Sequence, residues 1–215
     1  MLTLAAATVL VELFTSEGCS SCPPADAVLA RLSAEQPVSG VRLVMLAEHV
    51  DYWDDLGWRD PFSDHLFTER QSKYGDRMYT PQAVVDGRFD VLGSDGAGIR
   101  KAAASAASEP HGGVTCSLSE RKKIIFSVSG LPPHGPAQVL LATVEDGLSS
   151  KVTRGENAGR TLPHTAVVRS LKGIATLAAS ENAWSGEFDA PAPHARLVLF
   201  VQDRESLRVL AAGSQ

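Results

Sequence analysis

The sequence predicts an α/β domain over residues 8–109 followed by an all-β antiparallel sandwich domain over residues 113–215. Three observations predict this. An apolar run, Val9-Leu10-Val11-Glu12-Leu13-Phe14, leads into Cys19-Ser20-Ser21-Cys22-Pro23 and a helix-like stretch. Thr80-Pro81 stands before a strand-like run that turns back at Asp86-Gly87. Past Glu109-Pro110-His111-Gly112-Gly113, a good linker, the texture changes to short, regularly spaced β-like runs.

Taken in order, Val9 to Thr15 reads as a buried strand. Ala25 to Glu35 carries Val28, Leu29 and Leu32 on one helical stripe. Pro37-Val38-Ser39-Gly40 is a turn, and Val41 to Val50 is a second apolar strand. Asp51 to Asp60 is a polar loop rich in aromatics, and Pro61 opens a helix reaching about Tyr74. Pro81 then begins a strand, Asp86-Gly87 makes a hairpin turn, and Ala97 to Ser108 is an alanine-rich helix. In the second half, 113–119, 122–129, 137–145, 165–170, 187–188 and 196–202 read as strands, immunoglobulin-like in outline.

Composition bounds the function. The chain has 215 residues, 44% hydrophobic and 21% charged, as expected of a globular protein. A formal net charge of −5 and the lack of a basic patch argue against nucleic acid as a partner. No apolar run is long enough to span a bilayer. Residues 2–8 are small and apolar, with no basic segment before them, and read as the tail of an export signal. The oligomeric state is left open.

Three cysteines leave one over if Cys19 and Cys22 pair with each other. Cys116, the third, reads as a buried structural thiol in a strand. A C-x-x-C delivered by a strand to a helix start is a redox layout. The helix's first N–H groups lack intrahelical partners and carry partial positive charge, so a thiolate at Cys19 is favoured. Cys19 is the expected attacking thiol and the more exposed of the two; Cys22, one turn on, resolves the mixed disulfide. The alternative is a static staple, but a loop this short gains little stability from closure. The hydroxyls of Ser20 and Ser21 are placed to hydrogen-bond the Cys19 sulfur.

Two further clusters stand out. His49, Asp51, Tyr52, Trp53, Asp54, Trp58 and Asp60 follow the second strand at its C-terminal end, which in α/β sheets borders the site crevice. His49 reads as a base, a metal ligand alongside Cys19 and Cys22, or a satisfied buried histidine; Trp53 and Trp58 read as site-lining groups or anchors. Arg154, Glu156, Asn157 and Arg160 read either as reaching over the redox site or as holding their own loop.

The order of strand, C-x-x-C, helix, strand, helix, Thr-Pro, hairpin and helix resembles the thioredoxin superfamily. The strings Val11 to Asp26, His49 to Phe62 and Arg154 to Arg160 are similar to a bacterial thioredoxin-like family of exported proteins catalogued as domain of unknown function twelve-twenty-three. The resemblance implies a thioredoxin-like first domain. It implies that Pro81 is a cis-proline facing the cysteines, with Thr80 beside it in the substrate groove. It implies that Glu12 is a buried acid exchanging a proton with Cys22. It also implies a periplasmic or secreted thiol–disulfide oxidoreductase, acting on protein or small-molecule thiols and disulfides with no cofactor beyond its own disulfide. Two alternatives stay open: a copper- or zinc-binding protein using Cys19, Cys22 and His49, and a non-catalytic interaction scaffold.

Overall fold

The computed structural model describes residues 7–215. The start of the expected export-signal tail, residues 2–6, lies outside the described residues. The first half runs β1 (Ala7–Thr15), α1 (Cys22–Glu35), β2 (Val41–His49), α2 (His65–Ser72), β3 (Gln82–Val85), β4 (Phe89–Leu92) and α3 (Gly96–Ala107). The second half is all strand: β5 (Gly113–Leu118), β6 (Ile124–Ser129), β7 (Ala137–Glu145), β8 (Leu148–Lys151), β9 (Thr161–His164), β10 (Val167–Leu177), β11 (Trp184–Phe188), β12 (Ala195–Asp203) and β13 (Val209–Ser214).

These halves do not form the expected pair of a thioredoxin-like α/β domain and a separate antiparallel sandwich. Eight strands from both halves make one mixed sheet in the order β13-β12-β7-β10-β2-β1-β3-β4. The join is between β10 and β2, which run parallel with Val167 opposite Ala47, and Ala47 N–H donates to the Ala166 carbonyl at 2.7 Å. β11, β6 and β5 form a small second sheet, and β8 and β9 a separate hairpin.

The physical reason is that β7, β12 and β13 are apolar on both faces. Along β12, Val198 and Phe200 belong to the core that holds β1, β2, α1 and α3, while Leu197, Leu199 and Val201 belong to a second core with Ile124, Phe126 and Val128 of β6. A strand buried on both faces must be covered from both sides. The small sheet covers one side and the first half of the chain covers the other.

The large sheet curls until its last strand reaches its first half. Val209 N–H of β13 donates to the Asp86 carbonyl in the β3–β4 turn at 3.1 Å. Gly87 sits at this closure with φ +72°, and a Cβ there would lie 1.9 Å from the Leu207 carbonyl oxygen.

Local chemistry shapes the elements around the site. α1 starts at Cys22 with Pro23 and Pro24 in its first turn, where a missing N–H costs nothing. The helix expected from Pro61 starts later. Asp64 caps α2 by accepting from Leu66 N–H at 2.9 Å, because residues 60–63 are held as a turn by Ser63 Oγ donating to the Asp60 carbonyl at 2.9 Å. Cys116, expected to be buried, is exposed: only Val114 of β5 reaches the second core, and the rest of the strand, Cys116 included, lies at the surface. Among the described residues, no helix is long and apolar enough to cross a membrane.

Candidate functional site

β1 ends at Thr15, and the chain turns through Ser16, Glu17 and Gly18 to the cysteines. Gly18 is required here: a Cβ would come within 2.9 Å of Trp53 Cβ. Cys19 and Cys22 form a disulfide with Cα atoms 5.4 Å apart. Contrary to expectation, Cys19 is not exposed. Its relative exposure is 1%, against 0% for Cys22, while Ser20 and Ser21 face solvent.

Several predicted residues meet at the disulfide. The Thr80–Pro81 peptide is cis, and the Thr80 carbonyl oxygen lies 3.8 Å from Cys19 Sγ. Ser21 Oγ lies 3.2 Å from the same sulfur. Trp53 lies against Gly18 and donates its indole N–H to Thr80 Oγ1 at 2.8 Å, tying the aromatic loop to the proline loop. Gly93 lets this end of the sheet close: a Cβ there would meet Leu13 at 2.6 Å, Pro81 at 3.0 Å and Ala25 at 3.2 Å.

The run 154–160 reaches over the redox pair. The Asn157 side-chain amide donates to the carbonyls of both Glu17 and Cys19 at 2.9 Å. Glu156 accepts from Ser20 N–H at 2.9 Å, and the Ser20 hydroxyl, then this N–H, hold its carboxyl below the usual range. Gly155 packs against Trp58 and Gly57. The 154–160 run is thus bonded to the turn that carries Cys19 and packed on the loop that carries Trp58.

Glu12 is buried as expected but keeps different company. Arg70 Nε donates to one of its oxygens, and Tyr74 donates its hydroxyl to the other at 2.6 Å. Glu48 lies on the same guanidinium at 3.5 Å, with both of its oxygens buried and without a hydrogen bond. Burial, then the nearby Glu12 charge, push the Glu48 carboxyl well above its usual range. The face of β1 that carries Glu12 looks towards α2 and β12, where Arg70 lies over the Phe200 ring. Thr15, on the opposite face, donates to Asp26 of α1 at 2.9 Å.

His49 does not join the sulfurs. Its Nδ1 is 2.7 Å from Asp60 Oδ2. Burial opposes charge on this imidazole, but the Asp60 carboxylate outweighs it and the pKa is raised. Asp60 also accepts from Glu17 N–H at 2.8 Å and Phe62 N–H at 2.9 Å. Burial works against its ionisation, but these donors and His49 hold its pKa low. Among the described residues, no group of three or more His, Cys, Asp or Glu is arranged to hold a metal ion.

Sequence reasoning missed Glu17, Asp26 and His164. Glu17 is fully buried; it accepts from Trp58 Nε1 at 2.8 Å and from the Ser150 hydroxyl, and lies 2.8 Å from His164 Nε2. The only local signal was a glutamate two residues before a cysteine, inside an otherwise small and polar turn. A cavity of about 900 Å³ lies at the other end of β2, lined by Gln36, Arg42, Arg196 and Ser214.

The family described as a protein of unknown function (DUF1223) matches residues 10–202. A structural-genomics crystal structure of a protein from Agrobacterium tumefaciens is similar over the whole fold. The TM-score is 0.80 at 25% identity, covering 97% of this chain and 94% of that one. No curated protein matches the chain.

Proposed function

We propose that this chain, which belongs to the DUF1223 family of proteins of unknown function, is a thiol–disulfide oxidoreductase. The observation that carries the reading is the Cys19–Cys22 disulfide at the start of α1, with the Thr80 carbonyl 3.8 Å from Cys19 Sγ. A disulfide in a four-residue segment contributes little as a staple, whereas the helix start favours the thiolate that exchange needs. Cys19 attacks a substrate disulfide, a mixed disulfide forms, and Cys22 displaces the product thiolate as the protein disulfide closes. Oxidation of a substrate dithiol is the same sequence reversed. We relate the site, not the fold, to the thioredoxin superfamily. Substrates are thiols or disulfides of proteins or small molecules, and the compartment is the periplasm or the exterior, where disulfides persist.

The deciding experiment equilibrates the protein in glutathione buffers and counts reduced cysteines by mass spectrometry. A midpoint between roughly −270 and −120 mV, the range from thioredoxin to strong oxidants, supports exchange. Loss of disulfide reductase activity in Cys19→Ser is the companion result. One observation favours a second reading, a non-catalytic staple: both sulfurs are covered. A pair that stays oxidised well below about −300 mV is what that reading predicts.

A further inference from the structure

β2 is paired along its whole length on one side and almost bare on the other. Every residue from Val41 to His49 is in register with β1, whereas β10 meets β2 only where Val167 stands opposite Ala47. Along a ladder, successive residues turn their N–H and C=O groups to opposite edges. Ala47 N–H points to β10 and donates to the Ala166 carbonyl, so Met45, Leu43 and Val41 turn theirs to the same edge. Along residues 41–46 that edge has no strand beside it among the described residues. The cavity of about 900 Å³ opens along it.

Side chains stand in for the missing strand. Gln36, at the end of α1, takes both polar groups of Leu43: its Oε1 accepts from Leu43 N–H at 2.7 Å, and its Nε2 donates to the Leu43 carbonyl at 3.1 Å. A side-chain amide carries the same donor and acceptor as a peptide group, and these are the two bonds a neighbouring strand would make. Met45 is served least. Its carbonyl has only Arg196 Nη2 at 3.5 Å, and its N–H has no acceptor among the described residues, although Met45 is 1% exposed. A buried N–H without an acceptor is rare and costly. Covering an edge guards it against chance pairing, but a cover made for that alone would fill the space in front of it. Here a cavity of ligand size stays open beside an unpaired N–H. Two guanidiniums border it. Arg42 donates to the Ser214 hydroxyl at 2.9 Å and forms no ion pair among the described residues. Arg196 also donates to Asp146 at 3.0 Å, and Asp146 is the one acidic side chain in the lining.

We infer that this edge of β2 docks an extended polypeptide segment with acidic side chains, which adds as a strand along residues 41–45 and replaces the Gln36 amide. A backbone carbonyl of the segment accepts from Met45 N–H. Its peptide groups take over the two bonds to Leu43, and its carboxylates reach Arg42 and Arg196. The segment continues the line of β10 ahead of Val167, so it extends pairing that the sheet already has. The side chains it displaces are rooted at the surface, Gln36 being exposed and Arg196 half-buried. The inference does not depend on the exchange reading. β2 borders the disulfide at His49, opposite Thr15, and Leu43 stands roughly 20 Å back along the strand.

The test titrates the whole protein with a capped peptide of alternating valine and glutamate and follows amide NMR signals. Saturable shifts are expected at the Leu43 and Met45 amides and at the Gln36 side-chain amide, which leaves Leu43. Gln36→Gly removes the competing amide at a φ of +46°, where glycine is favoured, so the fold is kept. The peptide is expected to bind this variant about tenfold tighter, since two hydrogen bonds no longer have to be displaced. Arg42→Glu is expected to bind it several-fold more weakly. A peptide with lysine in place of glutamate is expected to lose about tenfold or more. Methylating alternate backbone nitrogens of the peptide, in both phases, should abolish binding in at least one. No shift at these amides up to millimolar peptide overturns the inference, as do a Gln36→Gly variant that binds no tighter, a lysine peptide that binds as well, and methylated peptides that all still bind. Dimerisation of Gln36→Gly without peptide binding also overturns it, by giving the edge to a second copy of the chain.

Discussion

The side chain of Asn157 donates to the backbone carbonyl of Cys19 at 2.9 Å, across 138 residues of chain. The same amide reaches the Glu17 carbonyl, so one side chain fixes the backbone on both sides of Gly18. Asn157→Ala removes a donor from both carbonyls; Cys19 keeps the bond from Cys22 N–H at 3.2 Å, while Glu17 loses its side-chain partner, a loss of about 1 to 3 kcal/mol. It also loosens the cover over Cys19. Urea unfolding is expected to show the loss, and alkylation of the reduced variant is expected to be several-fold faster than in wild type. An unchanged alkylation rate would mean that the 154–160 loop does not control access.

Arg70 holds two buried carboxylates. Arg70→Met leaves Glu12 and Glu48 facing each other without a cation, and is expected to cost about 3 to 5 kcal/mol at neutral pH. Glu48 has a raised pKa, caused by burial and then by Glu12. Its ionisation therefore works against the fold as pH rises above the ordinary value of 4.5. The deficit of the variant should shrink towards acid pH, where Glu48 is neutral. Denaturant melts at pH 4 and pH 7 compare the two conditions, and an equal deficit at both would rule out charge burial as the cause.

The His49–Asp60 pair has its own pH window. His49 is raised, so its contribution is complete below the ordinary 6.5 and is lost as pH rises through its folded value. Asp60 is lowered, so its contribution is complete above the ordinary 3.8 and is lost as pH falls through its folded value. The destabilisation in His49→Gln should be largest between these limits and smaller on either side. A series of thermal melts across pH checks this; a deficit that does not vary with pH would count against the ion pair.

Gly87 tests the curl of the sheet. In Gly87→Ala the new carbon falls 1.9 Å from the backbone oxygen of Leu207, at a φ of +72°. Neither the turn nor β13 can keep its place, and a loss of at least about 2 kcal/mol is expected from calorimetry. A melting temperature within a degree of wild type would show that the closure is loose.

Much of the site was legible because its signals are local. The strand that delivers Cys19, the prolines that open α1 and the Thr80–Pro81 hairpin all lie within short stretches of chain. The single large sheet was not legible. Its two halves join through one bridge, Val167 to Ala47, which leaves no pattern of its own. The unbroken apolar run Leu197-Val198-Leu199-Phe200-Val201 did carry a clue, since it lacks the polar alternation of a strand with a wet face. Glu12 announced itself as a buried acid inside an apolar strand, but its partner Arg70 lies 58 residues away. For the same reason, His164 gave no hint that it meets Glu17.

The bond from Val209 to Asp86 also bears on the order in which the molecule can be completed. The face of β1 with Glu12 and Phe14 is made early in synthesis, yet Phe200 and Gln202, which lie against its partner Arg70, belong to β12 and emerge much later. Until then a nascent chain carries an uncovered apolar face with an acid at its centre. Such long-range pairing folds slowly and exposes intermediates to aggregation. A ribosome-bound or truncated 7–109 segment should accordingly resemble a substrate for holding chaperones more than a finished unit.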